Sequence, residues 1–517
     1  MRLADLFAGL NVQTLRPQDA SVRICDITED SRTAVPGSLF VARSGLKADG
    51  RAYITSAIQA GAVAVLTTPE TPDDPAWTVP ILRATDVPAV SGQVAERFYG
   101  EPSSRLDVVA VTGTNGKSTI SYLVWKILND SQTRCGLIGT VITDDGREVA
   151  RSSMTTPPAI ELSWTLASMV EAGCRAASME ASSHALDQKR VDAITIKVGI
   201  FTNLTGDHLD YHRTMEAYAQ AKARLFERLI PSGVAIVNID DPWAGRITRA
   251  HAGATIMCSA QSRAGERHAS GAVVDASVEV VQGGVEGMHL RLKGPWGIIE
   301  AHVPLIGRYN AMNVLESVAA AHALGVPAVE IERILPSLTA PPGRLERVQV
   351  QGAAGPRVYV DYAHSDDSLR NVLQAVRGAM QDDPTAGRLW AVFGCGGDRD
   401  RTKRPRMGLA ASELADVAVV TSDNPRSENP GAIVKEIMAG IPQSARDRVK
   451  VHVERDQAIR AAVIDADIRD VIVIAGKGHE TEQIRAGADG VLVSSHFDDR
   501  EHAAEALRAR HLTATER

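Results

Sequence analysis

The segment Val108-Val109-Ala110-Val111-Thr112-Gly113-Thr114-Asn115-Gly116-Lys117-Ser118-Thr119 joins an unbroken apolar run to a glycine-rich loop. An apolar run without polar alternation is typical of a strand that a parallel sheet buries on both faces. In the loop, glycines let backbone N–H groups curl around phosphate oxygens, Lys117 supplies positive charge, and the Ser118 hydroxyl can bind Mg²⁺. The segment therefore predicts a strand, a phosphate-binding loop and a helix in succession.

One residue of this segment departs from the general phosphate-loop pattern. The usual spacing requires glycine at position 111, where this chain has Val111. An ordinary glycine-rich turn that carries a surface lysine is the alternative interpretation. We favour the phosphate loop, because the shorter form Thr-Gly-Thr-Asn-Gly-Lys-Ser at residues 112–118 is itself specific.

Apolar runs and helical patterns alternate along the rest of the chain. After the loop, apolar runs occur at residues 135–141, 175–180, 196–204 and 233–241, with helical patterns between them. This alternation predicts a mainly parallel sheet covered by helices on both faces. Residues 357–478 repeat the arrangement, and each apolar strand there ends in a polar loop. Ligands of open α/β sheets bind at those carboxyl ends.

Length and two polar, proline-containing stretches predict three domains. A chain of 517 residues is long enough for about three domains. Residues 101–106 and 339–344 are the expected boundaries. We therefore expect an α/β protein with a small α/β domain at 1–102, a central phosphate-loop ATPase domain with a mainly parallel sheet at 103–340, and a Rossmann-like α/β domain at 341–517. Residues of about 260–305 are rich in valine and glycine and predict a β insertion.

Composition excludes several classes of protein. A formal charge of -7 gives no overall basic field for nucleic acid, so we expect no nucleic-acid partner. No stretch reaches the roughly 18 apolar residues of a membrane span, and Asp5 interrupts what would be the apolar core of a signal peptide. The five cysteines are scattered and predict free thiols in a reducing compartment. We expect a cytoplasmic protein.

The form Thr-Gly-Thr-Asn-Gly-Lys-Ser resembles the Mur ligase family, and the resemblance continues through the chain. Residues 179–190, Met-Glu-Ala-Ser-Ser-His-Ala-Leu-Asp-Gln-Lys-Arg, are similar to the metal and substrate segment of that family. The resemblance implies that Glu180 binds Mg²⁺ and that Ser182, Gln188 and Arg190 hold a muramoyl peptide. An isolated glutamate at a strand end is more often a solvated carboxylate, but the surrounding twelve residues favour the metal site.

Residues 203–210, Asn-Leu-Thr-Gly-Asp-His-Leu-Asp, and Lys222 extend the resemblance. It implies that His208 binds Mg²⁺ and that Lys222 is carbamylated, which turns a cation into a carboxylate-like metal bridge. On its own, His208 is equally a core or capping histidine and Lys222 a solvated helix charge. The catalytic set implied by the resemblance is Lys117, Glu180, His208 and Lys222, and the metal set is Ser118, Glu180, His208 and Lys222.

The resemblance also implies an ATP site. Asn310 and Asn313 are similar to the adenine-binding asparagines of the family, although Asn310 is equally a helix N-cap. The family has an arginine that reaches nucleotide phosphates as the domains close, and an Asp-Tyr-Ala-His segment at the nucleotide. Where the family commonly has Thr-Pro after that segment, this chain has Ser365-Asp366. The implied ATP contacts are Gly113, Thr114, Asn115, Gly116, Lys117, Ser118, Thr119, Asn310, Asn313, Arg344, Asp361 and His364.

In the N-terminal region the resemblance implies a uridine-nucleotide domain. By position, Ser31 and the loop Leu46-Lys47-Ala48 would contact the uridine diphosphate of the substrate. Thr155 and Thr156 would contact the sugar-peptide. An Asp-Ser pair is an ordinary turn, and Thr-Thr-Pro is an ordinary segment before a helix, so these assignments depend on their order relative to the later motifs.

Asp423-Asn424-Pro425-Arg426 matches the motif of the branch that adds meso-diaminopimelate. Diaminopimelate differs from lysine by a second carboxylate beside its far amine, and an arginine fork can bind that carboxylate through two parallel hydrogen bonds. Lysine would leave Arg426 desolvated and unpaired. By the same resemblance Arg399, Gly476 and Glu480 complete the pocket. A surface arginine after a proline turn is the plain alternative. Thr402 and Asn429 are small departures beside the pocket.

The resemblance implies an ATP-dependent ligase of peptidoglycan synthesis that acts as a monomer. The expected substrates are UDP-N-acetylmuramoyl-L-alanyl-D-glutamate, meso-diaminopimelate and ATP with Mg²⁺, and the D-glutamyl carboxylate would react through an acyl phosphate. Three alternatives stay open: the same ligase using lysine, a non-catalytic nucleotide-binding scaffold, and a related polyamide synthetase. Cys395 lies in a glycine-rich turn without an evident base, and packing is the expected role.

Overall fold

The computed structural model describes residues 1–13, 18–43, 45, 48–487 and 489–515. The chain divides into two compact units. The first comprises Met1–Ala276 and Glu316–Pro327, and the second comprises Ser277–Leu315 and Ala328–Arg517.

The first unit begins with a small parallel sheet in the order β1-β2-β3-β4. Strands β2 and β3 are buried along their whole length, because apolar clusters cover both faces of the sheet. The strands are β1 (Asp26–Thr28), β2 (Ser38–Val41), β3 (Ala64–Thr67) and β4 (Ile81–Arg83), and the helices are α1 (Leu3–Phe7), α2 (Ile54–Ala60) and α3 (Val87–Phe98), with a 3₁₀ turn at Gly50–Tyr53.

The stretch that the sequence predicts as a linker is a 3₁₀ turn, Pro102–Arg105, whose first two residues are buried. The carboxylate of Glu96, on α3, accepts hydrogen bonds from Ser103 Oγ at 2.5 Å and from Ser103 N at 3.2 Å. Ser103 Oγ in turn accepts from the backbone N–H of Thr195 at 3.0 Å. Burial raises the pKa of Glu96. These hydrogen bonds join the first sheet to the following part of the same unit.

A second sheet of the first unit has the strand order β12-β11-β10-β5-β9-β6-β7-β8. Its strands run parallel from β12 to β6, and β7 and β8 extend the β6 edge in antiparallel fashion. The strands are β5 (Asp107–Thr112), β6 (Cys135–Ile138), β7 (Ile142–Asp144), β8 (Val149–Arg151), β9 (Ala176–Glu180), β10 (Ile196–Phe201), β11 (Leu229–Asn238) and β12 (Ala254–Ser259), and the helices are α4 (Lys117–Asp130), α5 (Ala159–Glu171), α6 (Ser183–Asp187), α7 (Leu209–His212), α8 (Met215–Glu227) and α9 (Ala244–Ile247).

The second unit begins with the β insertion that the sequence predicts. Strands β13 (Ala276–Gly284), β14 (Gly287–Gly294) and β15 (Gly297–Val303) form an antiparallel meander. Helix α10 (Tyr309–Ala323) follows, and its residues up to Leu315 belong to this unit. Helix α11 (Ala328–Ile334) and a 3₁₀ turn, Leu335–Ser337, complete the region.

The remainder of the second unit is a sheet in the order β16-β17-β21-β18-β19-β20. Only its β16–β17 pair is antiparallel within the described residues. Apolar clusters fill both faces, as uninterrupted apolar strands require. Its elements are β16 (Glu346–Val348), β17 (Arg357–Asp361), α12 (Asp366–Gln381), β18 (Leu389–Phe393), α13 (Lys403–Leu414), β19 (Val417–Val420), α14 (Pro430–Ala439), a 3₁₀ turn (Gln443–Arg448), β20 (Val449–Val451), α15 (Arg455–Asp465), β21 (Val471–Ala475), the hairpin β22 (Glu482–Ala486) and β23 (Leu492–His496), and α16 (Asp499–Thr515).

A buried ion pair joins the ends of two strands in this sheet. Arg455 and Asp499 are both 0% exposed, and their side chains meet through two hydrogen bonds of 2.6 and 2.7 Å. The same guanidinium donates to Ser422 O at 3.2 Å and to Ala475 O at 3.0 Å. Ser422 follows β19 and Ala475 ends β21, so this pair fixes the starting points of two loops.

The α/β fold class with mainly parallel sheets is confirmed. The expected domain limits at 102 and 340 stay a prediction, since residues 1–102 and most of 103–340 lie in one compact unit. Within the described residues, no helix is both long enough and apolar enough to cross a membrane.

We expect Asp499→Asn to lower the free energy of unfolding by about 3–5 kcal/mol, because it leaves the Arg455 guanidinium buried without its counter-charge. The measurement is urea denaturation followed by circular dichroism. Asp465→Asn is the matched control, since Asp465 pairs with Lys450 at the surface and such pairs contribute under about 1 kcal/mol. Equal losses in the two variants would contradict the expectation.

Candidate active site

The glycine-rich loop after β5 has the backbone that its sequence predicts. Gly113 and Gly116 adopt positive φ angles of 153° and 89°. A side chain at Gly113 would clash, because a Cβ atom there would lie 1.8 Å from Thr202 Oγ1. Lys117 begins α4 and donates its ammonium to Gly113 O at 3.0 Å and Thr114 O at 2.8 Å. The lysine therefore folds back across the loop, where it adds positive charge beside the loop N–H groups.

A second segment, which follows β10, supports the loop. Thr202 Oγ1 donates to Asn115 O at 2.5 Å, and Asn203 Oδ1 accepts from Asn115 N at 3.0 Å. Thr114 Oγ1 lies 3.2 Å from the hydroxyl of Tyr218 on α8. Neither Thr202 nor Tyr218 was predicted from the sequence. Both lie close in sequence to the motifs at 203–210 and at Lys222, and this adjacency is the signal by which they could have been found.

Glu180, at the end of β9, is 1% exposed and lies next to the loop. Its carboxylate accepts from Ser118 Oγ at 3.0 Å, from Thr140 Oγ1 at 3.0 Å and from Thr140 N at 2.6 Å. Neighbouring oxygen ligands of an octahedral Mg²⁺ are about 3 Å apart, given metal–oxygen distances of about 2.1 Å. The pair Ser118 and Glu180 therefore fits a Mg²⁺ ion. Thr140, which orients the carboxylate, belongs to none of the motifs in the sequence and was not predicted.

Lys222, on α8, is 1% exposed and lies under the same loop. Its ammonium donates to Gly113 O at 2.7 Å and stands 4.4 Å from the ring centroid of Tyr218. Burial, with a smaller contribution from nearby Lys117, holds the pKa of Lys222 well below its usual value. The interpretation of Lys222 as a solvated helix charge is therefore wrong.

His208 lies in a group of aromatic rings at the start of α7. Its backbone is left-handed, with φ 53°, and its ring meets that of His184 at a centroid distance of 4.8 Å. His212, 5.6 Å from His184 between centroids, is buried. Burial is the largest cause that lowers the pKa of both His184 and His212. Among the described residues, no three His, Cys, Asp or Glu side chains are grouped closely enough to hold a metal by themselves. The metal role of His208 stays a prediction.

The residues expected to bind the muramoyl peptide lie together beside Glu180. Thr156 Oγ1 donates to Glu180 O at 2.8 Å and accepts from Ser182 N at 3.1 Å. Arg190 donates to Thr156 O at 2.7 Å and, through its guanidinium, to Gln188 Oε1 at 2.8 and 3.2 Å. Thr155 accepts from Thr140 Oγ1 at 3.1 Å. The structure thus connects this cluster to Glu180 through Thr140.

The residues expected to bind uridine are only partly described. Ser31 is half-buried in the turn between β1 and β2. Its neighbour Asp30 accepts from the backbone and guanidinium of Arg32, which lowers the pKa of Asp30 to about 2. Ala48 accepts from Gly45 N at 2.8 Å, whereas Leu46 and Lys47 lie outside the described residues.

Two asparagines of the second unit form a buried pair on α10. Asn313 Nδ2 donates to Asn310 Oδ1 at 2.7 Å, and Asn310 Nδ2 donates to Ile306 O at 2.7 Å. Asn310 is the second residue of α10, so its alternative role as helix N-cap is wrong.

The loop after β17 depends on Asp361, whose carboxylate accepts from Leu345 N and Ala363 N at 2.8 Å each. Burial raises the pKa of Asp361, and nearby Arg344 opposes that shift. The Arg344 guanidinium stands 5.4 Å from the ring centroid of Tyr362. The ring of His364 lies 4.7 Å from that of Tyr362.

Ser365-Asp366 is compatible with this loop. Ser365 is the N-cap of α12 and forms a reciprocal capping box with Ser368.

Arg426 is held in an uncommon backbone conformation. Its φ angle is 51°, a region that costs a non-glycine residue about 1–3 kcal/mol. Two main-chain hydrogen bonds to β22 stabilise it: Arg426 N donates to Ile484 O at 3.0 Å, and Ala486 N donates to Arg426 O at 2.8 Å. The guanidinium donates to Gly397 O at 2.8 Å and is half-buried. Arg426 is therefore not a freely solvated surface arginine.

The other predicted pocket residues differ in whether they contact the Asp423–Arg426 segment. Asn424 Nδ2 donates to Glu480 Oε2 at 3.0 Å, and Gly476 approaches Asp423 so closely that a Cβ atom would lie 3.1 Å from Asp423 Oδ2. Arg399 is exposed, in the loop after β18. The structure thus joins the Asp423–Arg426 segment to Glu480 and Gly476, and leaves the Arg399 side chain in solvent.

Buried Arg404 supports the loop after β18. Its guanidinium binds Glu428 through two hydrogen bonds of 2.7 and 2.9 Å and donates to Gly396 O at 3.2 Å. The hydrogen bonds from Arg404 lower the pKa of Glu428 to about 2. Burial raises the pKa of the Cys395 thiol to about 12, and the sulfur contacts Met407, as expected of a packing residue.

Comparisons with known proteins agree with this arrangement. Three family models match: "Mur ligase family, catalytic domain" at residues 23–99, "Mur ligase middle domain" at 111–321, and "Mur ligase, glutamate ligase domain" at 343–478. A protein of Synechococcus elongatus called UDP-N-acetylmuramoyl-L-alanyl-D-glutamate--2,6-diaminopimelate ligase is 42% identical over 99% of both chains. The chain belongs to the Mur ligase family.

Further relatives of this Mur ligase bear similar names. A protein of Gloeobacter violaceus with the same name is 41% identical over 99% of both chains. A solved structure of a ligase of that name is 30% identical, with a TM-score of 0.73 over 99% of both chains. Mur ligases are ATP-dependent amide ligases that form ADP, and this chain is an enzyme of that class.

We expect Lys117→Met to weaken ATP binding at least about tenfold, because it removes the cation that neutralises phosphate charge beside the loop. The measurement is isothermal titration calorimetry with ATP and Mg²⁺. Lys126→Met is the matched control, since Lys126 lies on the same helix and pairs with Asp130. An unchanged affinity in Lys117→Met would contradict the assignment of the loop.

Proposed function

We propose that this Mur ligase joins meso-2,6-diaminopimelate to the D-glutamyl carboxylate of UDP-N-acetylmuramoyl-L-alanyl-D-glutamate. The observation that carries the proposal is the arrangement of Arg426, Asn424 and Glu480. It offers a guanidinium, an amide and a carboxylate to the far end of the amino acid, which carries a carboxylate and an ammonium. The names of the full-length relatives agree with this choice.

In the proposed first step, the D-glutamyl carboxylate attacks the terminal phosphorus of ATP and gives an acyl phosphate and ADP. The loop N–H groups and the Lys117 ammonium bind the phosphate oxygens and reduce the repulsion that the attacking carboxylate meets. Arg190, with Thr156 and Ser182, orients the muramoyl peptide beside the loop. Asn310 and Asn313 are the proposed adenine contacts, and Arg344, Asp361 and His364 are further proposed ATP contacts.

Ser118 and Glu180 are the proposed Mg²⁺ ligands, with His208 and modified Lys222. When bound, Mg²⁺ would supply positive charge that offsets the negative charge of the phosphates. Thr140 holds the Glu180 carboxylate in its orientation through two hydrogen bonds.

In the second step, an amine of diaminopimelate attacks the acyl phosphate, and phosphate leaves as the amide forms. Arg426 binds the distal carboxylate and Glu480 the distal ammonium, which orients the reacting amine. The main-chain hydrogen bonds of Arg426 to β22 hold its backbone in place, and Gly397 O accepts from its guanidinium. We also propose the domain limits 1–102, 103–340 and 341–517 for the muramoyl-peptide, ATP and amino-acid domains.

The test is ATP-dependent phosphate release with the UDP-linked dipeptide and either meso-diaminopimelate or L-lysine. We expect phosphate release to require diaminopimelate. The kcat/KM for diaminopimelate should fall at least about 10²-fold in Arg426→Lys, since the substituted side chain at position 426 cannot form the two parallel hydrogen bonds of a guanidinium. Arg469→Lys is the matched control, because Arg469 pairs with Asp467 at the surface of the same unit.

Two results would contradict the proposal in different ways. Equal turnover with L-lysine would remove the assignment of the amino acid and leave a Mur ligase of different specificity. Tight ATP binding without turnover of either amino acid would favour the non-catalytic scaffold.

We propose, in addition, that Lys222 is carbamylated. A carbamate forms when a neutral amine attacks CO₂, and the burial of Lys222 favours its neutral form. The unmodified Nζ lies 2.7 Å from Gly113 O, so a carbamate on it would lie at the phosphate loop. The carbamate would supply an oxygen ligand that unmodified lysine lacks.

Incubation with ¹³C-bicarbonate, followed by ¹³C NMR, tests this modification without relying on activity. We expect a carbamate carbonyl signal in the enzyme without substitutions. The matched control Lys197→Ala should give the same signal, since it removes a half-exposed lysine that pairs with Asp107. The signal should be absent from Lys222→Ala. The same signal in Lys222→Ala would place the carbamate elsewhere and contradict the proposal.

A further inference from the structure

Lys477, in the loop after β21, is a buried cation beside the proposed amino-acid pocket. Its side chain is 0% exposed. The ammonium donates to Glu482 O at 2.5 Å, to Asn424 Oδ1 at 3.1 Å and to Glu480 Oε2 at 3.3 Å. A lysine ammonium has three N–H donors, and these three acceptors use all of them.

The charges around Lys477 are the second observation. Asp423 Oδ1 lies 3.8 Å from Lys477 Nζ and is buried, with no hydrogen bond within the described part of the chain. Lys477 therefore stands between the carboxylates of Asp423 and Glu480, and it is the counter-charge nearest to both in the described contacts. Without it, the buried carboxylate of Asp423 and the half-buried carboxylate of Glu480 would lose the cation between them, which carries an electrostatic cost.

Lys477 also sets the orientation of the Asn424 amide. Asn424 Oδ1 accepts from Lys477 and from Ile484 N at 3.1 Å, so its Nδ2 group faces Glu480 Oε2. The same ammonium thus fixes a donor and an acceptor of the pocket.

We propose that Lys477, together with Arg426, determines which amino acid this ligase accepts. Its charge compensates Asp423 and Glu480, so that the pocket does not attract an amino acid whose far end is an ammonium alone. Diaminopimelate brings a carboxylate with its distal ammonium and has no net charge there, whereas L-lysine brings one uncompensated positive charge. Lys477 is a positioning and specificity residue, and this role rests on the proposed function.

Lys477→Met and Lys477→Gln test the role of the charge. We expect the ratio of kcat/KM for meso-diaminopimelate to that for L-lysine to fall at least about tenfold in both variants. Removal of the cation makes the pocket more negative and favours the lysine ammonium. The ratio does not depend on the fraction of folded enzyme, because both amino acids are measured on one preparation. Lys450→Met, which removes a surface lysine of β20 paired with Asp465, should leave the ratio unchanged.

Several results would overturn the role of Lys477. A parallel loss with both amino acids would make it a structural residue, and so would failure of both variants to fold in a thermal unfolding measurement. An unchanged ratio in Lys477→Gln alone would assign the effect to hydrogen bonding and exclude charge. If the enzyme without substitutions uses L-lysine as well as meso-diaminopimelate, the proposed function itself fails. That result is distinguishable from a failure of the proposed role of Lys477, which is measured on the variants.

Discussion

Backbone groups beyond the end of a buried parallel strand must find new hydrogen-bond partners, and this constraint organises the candidate functional loops of each unit. The sheet satisfies every N–H and C=O group inside it, but not those of the first residues beyond it. Side chains take over at these positions. Glu180 accepts from Thr140 N, Asp361 accepts from Leu345 N and Ala363 N, and Arg455 donates to the carbonyls of Ser422 and Ala475. These hydrogen bonds tie the start of each loop to a neighbouring element.

The same constraint explains what the sequence could and could not predict. The parallel sheets follow from uninterrupted apolar runs, and the phosphate loop follows from glycines with a lysine at short spacing. Thr140 and Thr202 carry no such pattern, since each acts on a residue that lies 40 or more positions away in the chain. Their partners become visible only when parallel strands bring the loops together. A search for motifs therefore finds the residues in the loops and misses those that hold them.

The lysines show how strongly environment decides the role of one residue type. Lys117 crosses a glycine loop, Lys222 is buried under that loop, and Lys477 stands between two carboxylates. The sequence predicts a phosphate-binding role for Lys117, is equally compatible with a solvated helix charge at Lys222, and assigns no role to Lys477. Burial costs a lysine several kcal/mol unless it is neutral, modified or surrounded by acceptors. The surroundings of the three differ accordingly: Lys222 has a strongly lowered pKa, and Lys477 has three acceptors.

The backbone of Arg426 is bonded to β22 on both sides, through atoms that every amino acid except proline possesses. The shape of this loop is thus set independently of the side chain that it displays. A change of residue at position 426 would alter the side chain that this loop displays, while the main-chain hydrogen bonds to β22 remain. If position 426 contacts the amino acid as proposed, the specificity of the enzyme can change there without the loss of these hydrogen bonds.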